Sequence, residues 1–140
     1  MSPRDEVLEA MARFAAATDA RDWESLRAML TEDAAAYGES GADAVVATMR
    51  GHLGGVGATQ HLLGNHRVTL TGEPDPDTAR VVSYGRVHHV GAGPKRGAYY
   101  ECLGEYDDTW QRRDGTWLLA ARRFDIQSPL GDFSVLRPAT

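Results

Sequence analysis

A carboxylate at the end of the first predicted helix is the first residue whose position could serve chemistry. Asp19 continues a row of small and apolar side chains at helical spacing, formed by Leu8, Ala12 and Ala15. A carboxylate buried on such a row is costly unless a charged or hydrogen-bonding group accompanies it. Asp19 is therefore a candidate acid–base residue; alternatively, it caps the next helix or faces solvent at a frayed helix end.

Two of the five histidines are candidates for proton transfer. Imidazole titrates near neutral pH, and a carboxylate on one ring nitrogen fixes its tautomer and stabilises the imidazolium. His61 could provide Asp19 with such a partner; without that partner, a core histidine with satisfied hydrogen bonds is the preferred interpretation of His61. His88 and His89 are adjacent on a predicted strand and must point to opposite faces. His89 shares its face with a serine and a glycine, so we expect it to face the interior unless a bulge reverses the order.

Further charged groups alternate along the last two predicted strands. Glu105 and Asp107 share one face of a strand, and Asp108 and Trp110 share the other. If the first face is inward, Asp107 could bind substrate or act as a second acid or base; a solvated acidic edge is the equal alternative. Arg122 could bind a substrate carboxylate or enolate oxygen. Alternatively, Arg122 forms a surface ion pair with Asp107 or Asp108.

The composition narrows the classes of function. The chain has 140 residues, 42% of them apolar and 25% charged, which is usual for one globular domain covering residues 1–140. A net charge of −5 argues against nucleic-acid binding. The sequence lacks an apolar run of the about 20 residues that span a membrane, and its first residues do not resemble a signal peptide. We therefore expect a cytoplasmic domain that binds neither nucleic acid nor membrane.

Motifs for metals and nucleotides are missing from the sequence. The histidines do not recur at a spacing typical of metal ligands, and the single Cys102 cannot form a thiolate cage. The glycines at 51, 54, 55 and 57 do not form a dinucleotide-binding or phosphate-binding loop. We expect chemistry that needs no metal and no cofactor.

Helices are predicted first along the chain. Ser2 suits the N-cap and Pro3 the first position of a helix that runs to about Asp19. Asp22 can cap a second helix over 23–30, whose Trp23 is turned inward, followed by a turn at 31–33 and a short strand over 34–37. A third helix is predicted over 42–53.

Long strands are predicted for the remainder. They cover about 59–70, 78–90, 98–112 and 116–127, with turns at 71–76, 91–94 and 113–115. Helices followed by an antiparallel meander predict an α+β fold with the helices on one face of the sheet. A strongly bent sheet of this kind leaves a pocket against the helices.

Three stretches resemble SnoaL-like domains of the nuclear-transport-factor-two-like superfamily, in particular the scytalone dehydratases and the hexachlorocyclohexane dehydrochlorinases. They are AATDARDWESL at 16–26, TQHLLGN at 59–65 and YDDTWQRRDGTW at 106–117. Their order and spacing extend the resemblance over nearly the whole chain. The resemblance implies a cone-shaped α+β barrel, in which N-terminal helices pack on a strongly curved mixed or antiparallel sheet that encloses a pocket.

The resemblance also implies roles for single residues. In both groups of lyases an aspartate at the end of the first helix orients a basic histidine, and Asp19 and His61 stand at these positions. Tyr37 and His89 match pocket residues of the dehydratases. Arg122 matches an active-site arginine of the dehydrochlorinases.

Two positions depart from these lyases. Phe14 replaces the active-site lysine of the dehydrochlorinases, and Thr18 replaces a second tyrosine of the dehydratases. Neither reaction can therefore be carried over intact. Phe14 and the inward Trp23 are expected to bind the substrate as apolar pocket residues.

The expected function is that of a cofactor-independent, dehydratase-like lyase that acts on a small, largely apolar molecule. Two alternatives remain: an isomerase or polyketide-type cyclase that uses the same pair, and a non-catalytic module for ligand binding or dimerisation. Such relatives commonly associate through the open sheet face. We therefore expect a homo-oligomer, a dimer or a trimer, with Trp110 in an exposed aromatic row on that face.

Overall fold

The computed structural model describes residues 1–72 and 74–137. Three helices are present in these residues: α1 (Pro3–Asp19), α2 (Trp23–Ala28) and α3 (Ala42–Leu53). The strands are β1 (Leu30–Ala36), β2 (Glu39–Ser40), β3 (Thr59–Thr71), β4 (Thr78–Val90), β5 (Tyr99–Arg113) and β6 (Thr116–Gly131), and short 3-10 helices cover Gly93–Lys95 and Phe133–Val135. The predicted turn at 71–76 includes Glu73, which lies outside the described residues.

The strands form one mixed sheet of six strands in the order β2-β1-β6-β5-β4-β3. β1 runs parallel to β6, and the other neighbours are antiparallel. The predicted α+β fold, with helices packed on one face of a mixed sheet, is confirmed. The sheet does not close on itself within the described residues, because β2 and β3 form its two edges.

The start of each of the first two helices follows its capping residues. Ser2 Oγ accepts from the backbone N–H of Asp5 (3.1 Å), and Asp22 Oδ1 accepts from that of Ser25 (3.1 Å). The end predicted for the second helix is wrong: α2 stops at Ala28 with Met29 as its C-cap, and Leu30 and the residues at 31–33 belong to β1. The partner strand explains the difference, since Leu30 pairs with Leu119 and is buried there.

The inner face of the sheet carries the core. Apolar residues of α1, α3 and the strands pack together there, among them Val7, Phe14, Val45, Val81, Trp110 and Leu119. Trp110 is fully buried, so the prediction of an exposed aromatic row around it is wrong. The even-numbered residues of β5 face inward, and Trp110 belongs to that set.

Two register shifts change which residues face inward. In β3, the shift between Gly64 and Arg67 includes Asn65 in a left-handed conformation (φ 50°). The inward side chains are odd-numbered before it, as at His61, and even-numbered after it, as at His66. A second shift, where β6 pairs with β5 near Trp110, brings Arg122 to the inner face.

The helices of the described ranges are each too short or too polar to cross a membrane.

Candidate active site

A cavity of about 250 Å³ lies between α3, the inner face of the sheet and the 3-10 helix near the end of the described chain. Its walls are mostly apolar or aromatic and include Met49, Leu53, Val87, Tyr106, Phe124 and Leu136. A few polar side chains interrupt them, notably His61, His89 and Tyr37. An apolar cavity with few polar groups is typical of a small-molecule site.

Asp19 and His61 form a tight pair beside this cavity. Asp19 is the last residue of α1, and its Oδ1 lies 2.6 Å from Nδ1 of His61. Its Oδ2 accepts from the backbone N–H of His61 (3.1 Å), and Oδ1 also accepts from the hydroxyl of Thr59 (2.8 Å). The two side chains are mostly buried, 24% and 12% exposed. The α2 cap is Asp22, so the carboxylate of Asp19 is left to bind the histidine.

The hydrogen bonds determine the protonation of the pair. Burial alone would raise the pKa of Asp19, but the bonds from the His61 side chain and backbone and from Thr59 outweigh it and hold the pKa below its usual value. An ionised carboxylate can only accept, so Nδ1 of His61 donates to it. The other ring nitrogen of neutral His61, Nε2, then carries a lone pair that can accept a proton.

His89 lies on the inner face of β4, as the alternation of the strand predicts, and its neighbour His88 lies on the outer face. His89 is 5% exposed and its ring centroid is 6.5 Å from that of His61. Nδ1 donates to the carbonyl of Tyr100 (2.8 Å), so Nε2 is unprotonated in the neutral ring. Burial lowers the pKa of His89, although the Tyr100 carbonyl opposes the effect.

Arg122 is buried but already paired. Its guanidinium donates twice to the carboxylate of Asp108, at 2.8 Å each, and lies between the rings of Phe14 and Tyr106. Nη1 also lies 3.4 Å from the hydroxyl oxygen of Tyr37. The ion pair is therefore buried, unlike the expected surface pair. Because Asp108 balances its charge, Arg122 is not a free anchor for a substrate carboxylate, and it reaches the cavity through Tyr37.

The predicted substrate contact at Asp107 is wrong. Asp107 lies on the outer face of the sheet and accepts two hydrogen bonds from Arg80, at 3.0 and 2.8 Å. Its strand neighbour Glu105 likewise pairs with Arg67 (3.0 Å). The inward face of β5 is the one with Asp108. Glu105 and Asp107 therefore lie on the outer face of the sheet, in agreement with the alternative of a solvated acidic row.

Phe14 and Trp23 lie in the core and do not belong to the described residues that line the cavity. Phe14 is 1% exposed and packs edge-on against Trp110, with ring centroids 6.3 Å apart. Trp23 is half-buried against the same core. Thr18 does line the cavity, but its hydroxyl donates to the backbone carbonyl of Phe14 (2.9 Å).

Three polar residues of the site were not predicted. Thr59 precedes His61 by two positions and shares its face, which alternation alone could have indicated. His52, in the last turn of α3, also lines the cavity. Arg21 follows Asp19 by two positions and binds the hydroxyl of Thr59, which lies 38 positions further along the chain, so sequence spacing does not indicate the contact. Within the described ranges, His, Cys, Asp and Glu side chains do not gather in groups of three or more that could hold a metal ion.

The helix-covered mixed sheet with an apolar cavity is the architecture expected of a SnoaL-like domain. The chain belongs to the SnoaL-like domain family, whose model matches residues 1–123, and the resemblance predicted from sequence is confirmed. A search of curated proteins found no match to the chain.

Solved structures share the fold at low sequence identity. A candidate scytalone dehydratase from Novosphingobium aromaticivorans is 23% identical over 91% of this chain and 85% of its own, with a TM-score of 0.81. A type 2 hexachlorocyclohexane dehydrochlorinase, LinA, is 14% identical over 91% and 87%, with a TM-score of 0.73. The Kfla4162 protein from Kribbella flavida is 22% identical over 94% and 95%, with a TM-score of 0.77.

Proposed function

We propose that this chain is a cofactor-independent acid–base enzyme in which His61, oriented by Asp19, removes a proton from a small, largely apolar molecule. The observation that carries the proposal is the 2.6 Å bond between Nδ1 of His61 and Asp19 at the wall of an apolar cavity. The bond leaves Nε2 as the base and stabilises the imidazolium that forms. Elimination, as in a dehydratase-like lyase, is the reaction that we favour.

Tyr37 is the proton donor in this proposal. Because a guanidinium only donates, Nη1 of Arg122 donates to the Tyr37 oxygen and leaves the phenolic proton free for a substrate carbonyl or leaving group. Tyr37 occupies a left-handed conformation (φ 55°) in the hairpin between β1 and β2. A bulky side chain is uncommon there, which favours a functional reason for it. The Nε2 atom of His89 is a second acceptor, suited to a substrate hydroxyl.

The proposed substrate is neutral and smaller than a typical drug. The charge of Arg122 is balanced by Asp108, so an anionic substrate would find no free arginine or lysine among the described residues of the cavity wall. A volume of about 250 Å³ is below the range of ordinary drug-sized sites. Mostly apolar walls favour a compact cyclic molecule with one or two oxygen atoms.

The names of two similar structures support elimination. One is called a dehydratase and the other a dehydrochlorinase, and both names describe lyases. What the two names share is the general type of reaction, an elimination. The proposed elimination is tested by incubating the chain with a panel of neutral cyclic hydroxy ketones and measuring the mass of the product. Loss of a small molecule supports the lyase; a product of unchanged mass supports the isomerase or cyclase; binding without turnover of the panel supports the ligand-binding module.

We also propose that the chain self-associates through the outer face of the sheet. Leu62, Tyr84 and Leu103 are 62%, 52% and 38% exposed there, around one broad groove. Neighbouring exposed apolar side chains of this size often mark an interface. The single domain over 1–140 and the cytoplasmic location stay predictions.

A further inference from the structure

Arg21 occupies the turn between α1 and α2 in a left-handed conformation (φ 57°). Its guanidinium donates to four backbone carbonyls. Two belong to the end of α1, Thr18 and Asp19, at 3.1 Å each. The others are Leu53 at the end of α3 (3.1 Å) and Gly57 before β3 (2.7 Å). Arg21 thus joins the three segments that meet at the aspartate–histidine pair.

The fifth hydrogen bond of Arg21 leads to the carboxylate of the pair. Nη1 donates to the hydroxyl oxygen of Thr59 (2.8 Å), which lies 2.8 Å from Oδ1 of Asp19. Because the guanidinium has only donors, the hydroxyl proton of Thr59 is directed to Asp19. The order of donation is therefore fixed: Arg21 to Thr59, and Thr59 to Asp19.

The carboxylate of Asp19 needs a compensating cation nearby. Asp19 is the last residue of α1, where the helix dipole disfavours negative charge. A carboxylate without a compensating cation also favours the charged form of a neighbouring imidazole, and a cation limits that effect. Burial lowers the pKa of Arg21, and the charge of Asp19 opposes that effect, so each of the two charges stabilises the other.

We propose that Arg21 is a positioning residue of this site: it directs the hydroxyl of Thr59 to Asp19 and partly balances the charge of the carboxylate that orients His61. The inference rests on the proposed role of His61 as a base. It adds a group that does not touch the substrate. The titratable and charged groups near His61 are Asp19 at the end of α1, Arg21 in the turn that follows, His89 on β4, and His52 and His66, which line the same cavities as His61.

The test is an NMR titration of the His61 ring, assigned with His61→Ala. Arg21→Met removes a like charge near the imidazolium and is expected to raise the pKa of His61 by about one unit. Arg21→Lys keeps the charge and should restore most of the wild-type pKa. Thr59→Val removes the donor to Asp19 and should raise the pKa of His61 by about half a unit, whereas Thr59→Ser should match the wild type.

A rise in both Arg21→Met and Thr59→Val supports the proposal. An unchanged or lower pKa of His61 in either folded variant overturns it, because a merely structural contact would leave the pKa unchanged or would lower it by loosening Asp19. If Arg21→Met does not fold, Thr59→Val decides alone. The titration needs no substrate, so its outcome is independent of turnover: a His61→Ala variant with full activity would refute the proposed function and leave this result standing.

Discussion

At the scale of single residues, hydrogen bonds distinguish the two histidines His61 and His89 of the cavity. His61 and His89 both donate through Nδ1, the first to Asp19 and the second to the Tyr100 carbonyl. A carboxylate stabilises the protonated form of its partner, whereas burial beside a neutral carbonyl disfavours it. In the proposed mechanism His61 is therefore the base, and His89 accepts a hydrogen bond from the substrate.

The lowered pKa of His89 predicts a pH dependence of stability. Its usual pKa is 6.5, so below that pH the unfolded chain binds a proton that folded His89 resists. The stability from His89 is present above about pH 6.5 and is lost as the pH falls through the folded pKa. We expect the free energy of unfolding in urea to fall between about pH 7.5 and 5.5, and to fall less in His89→Gln. His52→Gln, at an exposed histidine, should keep the wild-type decrease; an equal decrease in His89→Gln would contradict the account.

At the scale of elements, the sequence predicts those features that depend on neighbours along the chain. Capping residues indicate the starts of α1 and α2, helical spacing places Asp19 beside apolar residues, and alternation orients His89 inward. Features that depend on a distant partner are missed. β1 begins at Leu30 because that residue pairs with β6, which local propensity does not reveal.

In the candidate site, too, the sequence predicts some features and misses those that depend on distant partners. The resemblance predicts the Asp19–His61 pair, but the inner face of β5 depends on packing, so Asp107 is assigned to the wrong side. Arg21 acts on Asp19 through Thr59, which follows 38 positions later. The spacing of Asp19, Arg21 and Thr59 along the chain is not periodic, so a sequence pattern does not indicate that they interact.

The packing of β4 against β5 predicts that one added methyl group, at Gly85, lowers the stability of the fold. A Cβ at Gly85 would lie 2.3 Å from the ring of Tyr106, which stacks on Phe124 in the cavity wall. Gly85→Ala should therefore destabilise the fold by about 1–3 kcal/mol, measured by urea denaturation. Gly64→Ala is the matched control, since a Cβ there would meet no atom of the described residues within 4 Å. Equal stability of the two variants would show that the ring of Tyr106 moves freely.

At the scale of the whole molecule, the two faces of the sheet have different roles. The inner face holds the core and the cavity, while the outer face combines exposed apolar side chains with ion pairs such as Arg67–Glu105 and Arg86–Glu101. Because these charges are paired within the chain, the exposed apolar side chains are the part of this surface that we propose as the interface. An interface on the outer face would leave the cavity accessible to substrate.

This arrangement predicts self-association. Light scattering after size-exclusion chromatography should give the mass of a dimer or trimer, and Leu62→Glu combined with Leu103→Glu should give a monomer, because burial of the added charges is costly. Ala28→Glu, at an exposed position of α2, should keep the wild-type mass. A monomeric wild-type chain would refute the proposed interface.

The central claim is that His61, paired with Asp19, is a base at the wall of a neutral, apolar cavity. The most direct measurement is the rate at which the chain opens 5-nitrobenzisoxazole, a neutral molecule that reacts when a base removes one proton. We expect His61→Ala and Asp19→Asn to slow the reaction by at least about 10²-fold, the usual contribution of a general base. His88→Ala, on the outer face of the same sheet, should keep the wild-type rate. A wild-type chain no faster than His61→Ala would contradict the account.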